Sequence, residues 1–172
     1  MQSSYLLAQE PRAFVPVSPR SRSAAPKLKL HDPAVRAMHD FMRDPPMTVA
    51  EDCALQQAID DLFRLGVRAF LVIRERSVVG LFSVEDAQRR AAQGLRVGDV
   101  MTPSQDLPAI DWQTLEDAQI RDLIEIFEGT GVHHLVVVQN QAVNVATVRG
   151  LILRERLARQ LSSPALLLPG RA

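Results

Sequence analysis

Ser83-Val84-Glu85-Asp86 places a hydroxyl three residues ahead of a carboxylate, at what reads as a strand-to-helix junction. One use of that spacing is a capping box, in which the serine and the acid satisfy backbone amides at the start of the helix. The other use is recognition: a helix start preceded by serine offers amides and a hydroxyl to an anion such as phosphate, and Asp86 can accept hydrogen bonds from sugar hydroxyls. The two uses are compatible. Arg68, just ahead of an apolar run, carries a guanidinium suited to a two-pronged grip on phosphate oxygens or to pairing with a nearby acid. His133-His134 stand in a similar turn later in the chain. They make a poor zinc site, because adjacent histidines on extended chain point to opposite sides and no third ligand stands nearby. Neither a metal nor a catalytic residue is predicted: the sequence has no Gly-x-Ser-x-Gly, no phosphate-cradling glycine loop and no His-Glu-x-x-His.

The elements that must position these groups follow from apolar spacing. Asp32-Pro33 reads as the cap and first turn of a short helix carrying Ala34, Val35, Met38, Phe41 and Met42, ended before Asp44-Pro45-Pro46. Extended Met47-Thr48-Val49 leads to a helix over about 52–65, with Leu55, Ala58, Ile59, Leu62 and Phe63 on one face and a stop at Gly66. Two apolar strands, 69–73 and 78–82, are joined by Arg74-Glu75-Arg76, and a helix over about 84–93 closes the unit. The same order then returns. Val97 to Pro103 leads into extended 107–110, a helix over about 114–128 with Ile120, Leu123, Ile124 and Phe127 inward, and Gly131-Val132-His133-His134-Leu135-Val136-Val137-Val138, which matches Gly66 to Ile73 position by position. A polar loop, a strand over 145–152 and a helix over 154–161 complete the repeat. Each unit is too small for an adequate core, so the two should pack sheet on sheet about a pseudo-twofold axis.

The chain has 172 residues, 47% of them hydrophobic, and twenty basic side chains balance twenty acidic ones. That excludes a wholly disordered tether and implies one compact domain or two very small ones. No apolar run reaches the roughly 20 residues of a membrane-spanning helix, and the start lacks the features of a secretory signal, so a soluble cytoplasmic protein without membrane contact is expected. Cys53, the sole cysteine, reads as a small core hydrophobe. Residues 1–31 form an expected flexible basic arm, with Arg12, Arg20, Arg22, Lys27 and Lys29 against Glu10, and without the interleaved aromatics of a nucleic-acid binder. The expected units are 32–94 with the leading helix and 95–161, followed by a tail, 162–172, that carries no chemistry.

The repeated order, Val97-Gly98-Asp99-Val100-Met101-Thr102-Pro103, the Gly-Val-Arg and Gly-Val-His turns and Gly80-Leu81-Phe82-Ser83-Val84-Glu85-Asp86 resemble a tandem pair of cystathionine beta-synthase (CBS) motifs, a Bateman module. The resemblance covers residues 33–161 and implies an α/β fold of two β-α-β-β-α motifs. It further implies a non-enzymatic sensor that binds an adenine nucleotide (AMP, ADP or ATP) and signals to a partner protein, commonly as a homodimer. The implied contacts are an adenine slot at Met47, Thr48, Val49, Val67 and Ala69, phosphate at Arg68, phosphate and ribose at Ser83 and Asp86, and phosphate at His133 or His134. In the second half Leu153 stands where the hydroxyl belongs and Arg156 where the ribose carboxylate belongs, so one usable site per chain is expected. A ligand-free interaction or dimerisation scaffold is the alternative, with the same residues kept as caps and core.

Overall fold

The computed structural model describes residues 5–7, 27–89, 94–142 and 145–161. The C-terminal tail and most of the basic arm therefore lie outside the described residues. Along the chain stand β1 (Tyr5–Leu7), a 3-10 turn (Ala34–Ala37), β2 (His39–Asp40), β3 (Thr48–Ala50), α1 (Leu55–Leu65), β4 (Ala69–Arg74), β5 (Ser77–Ser83) and α2 (Val84–Arg89). The second half follows with α3 (Val97–Val100), β6 (Thr102–Pro103), β7 (Ala109–Asp111), α4 (Trp112–Asp117), α5 (Ile120–Thr130), β8 (His134–Ala142), β9 (Val145–Leu153) and α6 (Arg154–Leu161).

The fold is α/β, with one sheet ordered β3-β4-β5-β6 and its counterpart ordered β7-β8-β9-β2. Apolar side chains of both, Leu71, Val78 and Leu81 from one and Val136, Val148 and Leu151 from the other, form a shared core with Phe41 and Leu107. The pseudo-twofold is visible bond by bond. The Leu71 amide donates to Met47 O at 3.0 Å as the Val136 amide does to Pro108 O at 2.9 Å. The Val84 amide donates to Arg68 O as the Arg154 amide does to His133 O, both at 3.0 Å. Gly66 and Gly131 end α1 and α5 with φ of 66° and 70°, a left-handed turn that glycine adopts without a Cβ clash.

The leading segments are exchanged between the units. The expected helix at 32–42 is only the four-residue 3-10 turn; Met38 is extended and β2 pairs with β9, Asp40 opposite Gly150. This segment packs with the second unit, where Leu28, Ala34, Ala37 and Met38 join Ile120, Leu123, Phe127 and Ile152 in one core. Reciprocally, Val97 and Val100 join Leu55, Leu62, Phe70 and Phe82 in the core of the first, and β6 pairs with β5, Pro103 opposite Gly80. Those glycines are required: a Cβ on Gly80 would stand 2.6 Å from Thr102 O, and one on Gly150 2.7 Å from His39 O.

The same exchange breaks the helix expected over 114–128. Its apolar spacing runs through position 118, but Ala118 is extended, its carbonyl accepts from the Ala34 amide at 2.9 Å, and the Ile120 amide donates to Asp32 O at 2.9 Å. The incoming leading segment takes the hydrogen bonds that a continuous helix would have used. The polar loop expected before residue 145 is also shorter, because β8 runs to Ala142. Nor is the basic arm wholly without order: β1 pairs with both β5 and β9 and joins the sheets into nine strands, and Leu28 is buried. A buried leucine has something to gain by docking.

Candidate functional site

The carboxyl ends of β5 and β9 meet across the twofold, and a cavity of about 220 Å³ opens between them. Its walls include Arg68, Ser83, Glu85, His133, His134 and Glu155. The start of each strand and each following helix supplies these groups in matched pairs: Arg68 with His133, Ala69 with His134, Ser83 with Leu153, Glu85 with Glu155.

Ser83 and Asp86 form the capping box in full. The Ser83 amide and hydroxyl both donate to Asp86 Oδ2, at 2.9 and 2.7 Å, and the Asp86 amide donates to Ser83 Oγ at 3.2 Å. Arg89 pairs with the remaining oxygen, Oδ1, at 3.1 Å. Both residues are buried, and Asp86 is held behind Ser83 rather than among the residues lining the cavity. Arg68 reaches across the axis, 3.4 Å from Glu85 of the first unit and 2.7 Å from Glu155 of the second. The expectation of a phosphate-ready arginine therefore meets a guanidinium already flanked by two carboxylates.

His133 and His134 both line the cavity, although adjacent residues of a strand would face apart; β8 begins only at His134, and His133 lies in the bend before it. His133 is exposed. His134 has its Nε2 sealed from solvent with no hydrogen-bond partner among the described residues. Burial pushes its imidazole below the usual range, partly offset by the negative charges of Asp86 and Glu85. A neutral ring with a buried, unbonded nitrogen costs stability that a bound donor or anion could recover.

Of the slot expected at Met47, Thr48, Val49, Val67 and Ala69, Ala69 lines the cavity with Ser83, and the other four do not. A second cavity, of about 180 Å³, takes Met47, Val67, Arg68 and Ala69 and closes them against His39, Phe41, Leu151 and Leu153. Thr48 and Val49 lie in β3 and line neither cavity; Val49 packs on the core of the first unit. The slot residues of the first unit open toward the last strand of the second. Met47 and Val67 thus face the leucine end of β9, and their matches in the repeat are Pro108 and Val132. Sequence reasoning passed over Pro108 and Val132, the matches of Met47 and Val67 in the repeat, and Glu85 and Glu155, which line the cavity. The internal repeat carried the signal for the first two, since Leu107-Pro108 occupies the place of Pro46-Met47 and Val132 that of Val67.

Cys53 is half-buried against the first core, and burial with nearby Asp61 and Asp52 raises its thiol above the usual range, which suits an inert packing role. Among the described residues there is no cluster of three or more metal-ligating side chains, and no helix is long and apolar enough to cross a membrane.

No curated protein sequence matches the chain. Residues 38–92 match the model of the CBS domain family. Among solved structures, an uncharacterized conserved protein from Pyrococcus horikoshii aligns with a TM-score of 0.58 at 16% identity, over 76% of this chain and 92% of that one. The CBS domain of a bacterial CNNM/CorC family Mg2+ transporter in complex with ATP gives 0.56 at 16% identity, over 76% and 87% of the two chains. CBSX2 in complex with AMP gives 0.53 at 19% identity, over 74% and 94%. At these identities the structural likeness speaks for the fold, and the family model speaks for the sequence of the first half. Residues 38–92 match the CBS domain family in sequence, and the fold over both halves is that of CBS-domain structures.

Proposed function

We propose that the protein is a non-enzymatic regulatory module, which binds an adenine nucleotide (AMP, ADP or ATP) at the junction of its two units and passes occupancy to a protein partner, working as a homodimer in the cytoplasm. The observation that carries this reading is the convergence of Arg68, Ser83, His133 and His134 from both halves on one cavity. CBS domains of the same fold in complex with ATP and with AMP support the ligand class. In this reading the phosphates draw Arg68 away from Glu85 and Glu155, His133 approaches the same anion, and Ser83 with the α2 amides meets the sugar-phosphate side. The base slot belongs at Pro108 and Val132, and the Leu153 side is left without a ribose acceptor.

The ligand-free scaffold is the second reading, favoured by the closed capping box of Asp86 and by the two carboxylates that already neutralise Arg68. Thermal unfolding with and without AMP, ADP and ATP separates the two. A nucleotide at about 100 times its dissociation constant stabilises by roughly 2.7 kcal/mol, a rise of about 5–10 °C for a chain of this size. The expected result is such a rise for at least one nucleotide, lost in Arg68→Ala and kept in Arg156→Ala. No rise with any of them, from a folded protein, establishes the scaffold instead.

A further inference from the structure

β1 is hydrogen-bonded on both sides: Tyr5 and Leu6 pair antiparallel with Val78 and Ser77 of β5, and Leu6 and Leu7 pair parallel with Thr147 and Val148 of β9. It therefore ties the two units together at the beginnings of β5 and β9. The opposite ends of these same strands, Ser83 and Leu153, line the central cavity. At about 3.3 Å per residue the clasp and the cavity stand roughly 20 Å apart along β5, with Leu81 and Leu151 of the shared core between them.

Two geometric facts couple the ends. A strand paired on both edges holds its neighbours at about twice the 4.8 Å interstrand spacing, so parting them beyond that distance breaks one of the two ladders. The cavity, about 220 Å³, is also spanned by the Arg68–Glu155 ion pair that links the units. Small-molecule sites run from about 300 Å³ upward, so a nucleotide enters only by breaking that link and parting the starts of α2 and α6. The clasp itself is three residues long.

We propose that Tyr5–Leu7 is a releasable clasp and that its detachment is the signal by which an occupied cavity is reported. The inference rests on the nucleotide reading of that cavity. Binding repositions the units, β1 leaves its slot, and the backbone edges at Ser77–Val78 and Thr147–Val148 become exposed. The coupling is reciprocal: whatever releases the clasp favours occupancy of the cavity.

Amide hydrogen exchange on the full chain, with and without whichever of AMP, ADP or ATP raises the unfolding temperature, tests this directly. Exchange at residues 5–7, 77–78 and 147–148 should accelerate several-fold on binding while β4 stays protected. Leu6→Pro, which removes a donor from the clasp, and deletion of residues 1–26 should each tighten nucleotide binding several-fold. A nucleotide that stabilises the protein but leaves those amides unchanged or slowed, or clasp variants of unaltered affinity, would overturn the proposal while leaving the nucleotide reading intact. If no nucleotide stabilises the protein, that reading fails instead, and the coupling is then judged without ligand: unchanged exchange at Ser83 and Leu153 in both variants sinks it.

Discussion

The starts of α2 and α6 are the same backbone structure carrying different chemistry. Both helices follow the last strand of a unit, and in both the first helical amide donates to a carbonyl, that of Arg68 or of His133. Both place a glutamate one residue further on, and Arg68 lies within ion-pairing distance of both glutamates, Glu85 and Glu155. From there they diverge. Ser83 and Asp86 close a reciprocal cap on α2, whereas Leu153 has no hydroxyl to cap α6, and Arg156 has no acceptor to offer. The axis thus has twin carboxylates, but Arg68 is matched by His133, and Arg154, which also lines the cavity, stands in the place of Val84. The difference teaches that ladders and close-packed glycines hold the symmetric fold, and that polar groups on the axis can change without disturbing it.

The glycines give the largest test of the symmetric part. Gly80→Ala and Gly150→Ala each drive a methyl into the leading segment of the opposite unit, against Met101 and Thr102 in one case and Met38 and His39 in the other. Each should lose about 1–3 kcal/mol of stability in denaturant unfolding, the usual cost of overpacking, and the two losses should be similar. A loss confined to one of them would show that the exchange of leading segments is not a symmetric requirement.

The helix starts come next, and here the halves should differ. Asp86→Ala removes the acceptor of three hydrogen-bonding groups and should cost about 0.5–2 kcal/mol, the range for loss of an N-terminal cap. Arg156→Ala, at the matching position, should change stability by less than about 0.5 kcal/mol. Equal effects in urea titration would mean that the cap contributes nothing special and that the asymmetry is only one of sequence.

How much of this was legible beforehand follows the same division. The strands at 69–73 and 78–82, the stops at Gly66 and Gly131 and the helix at 154–161 were readable because each is a local pattern of apolar period and turn chemistry. The exchange of leading segments was not. The periodicity of Met38 and Phe41 says that they are buried but not against which unit, and it cannot tell a 3-10 turn followed by a strand from a longer helix. The break at Ala118 was hidden for the same reason, since it is imposed by the partner segment rather than by the residues that break. At the site, Arg68, Ser83 and His133 could be gathered from the repeat alone. Of the expected slot, Ala69 lines the cavity with Ser83 while Met47 and Val67 line the second cavity, a division the repeat could not reveal because it shows what is equivalent but not what is adjacent. The carboxylates on Arg68 come from two units and are visible only in three dimensions.

His134 offers the finest comparison, because its counterpart in the first unit is Ala69, which cannot titrate. Burial holds the imidazole below its ordinary value of 6.5, against the opposing charges of Asp86 and Glu85. In the unfolded chain the ring takes up a proton as the pH falls through 6.5, whereas the folded protein refuses it until a lower pH. The unfolded state therefore binds more protons across that window, and stability must fall as the solution is acidified. Exposed carboxylates and His133 stay in place when only this ring is changed, so the comparison isolates one group. His134→Gln, which keeps a polar side chain of similar length, and His134→Ala, which copies the first unit, should both flatten the loss of unfolding temperature between pH 7.5 and pH 5.5. If the slope of the wild-type protein persists in both variants, the acid sensitivity belongs to the symmetric framework, and the buried nitrogen of His134 has no part in it.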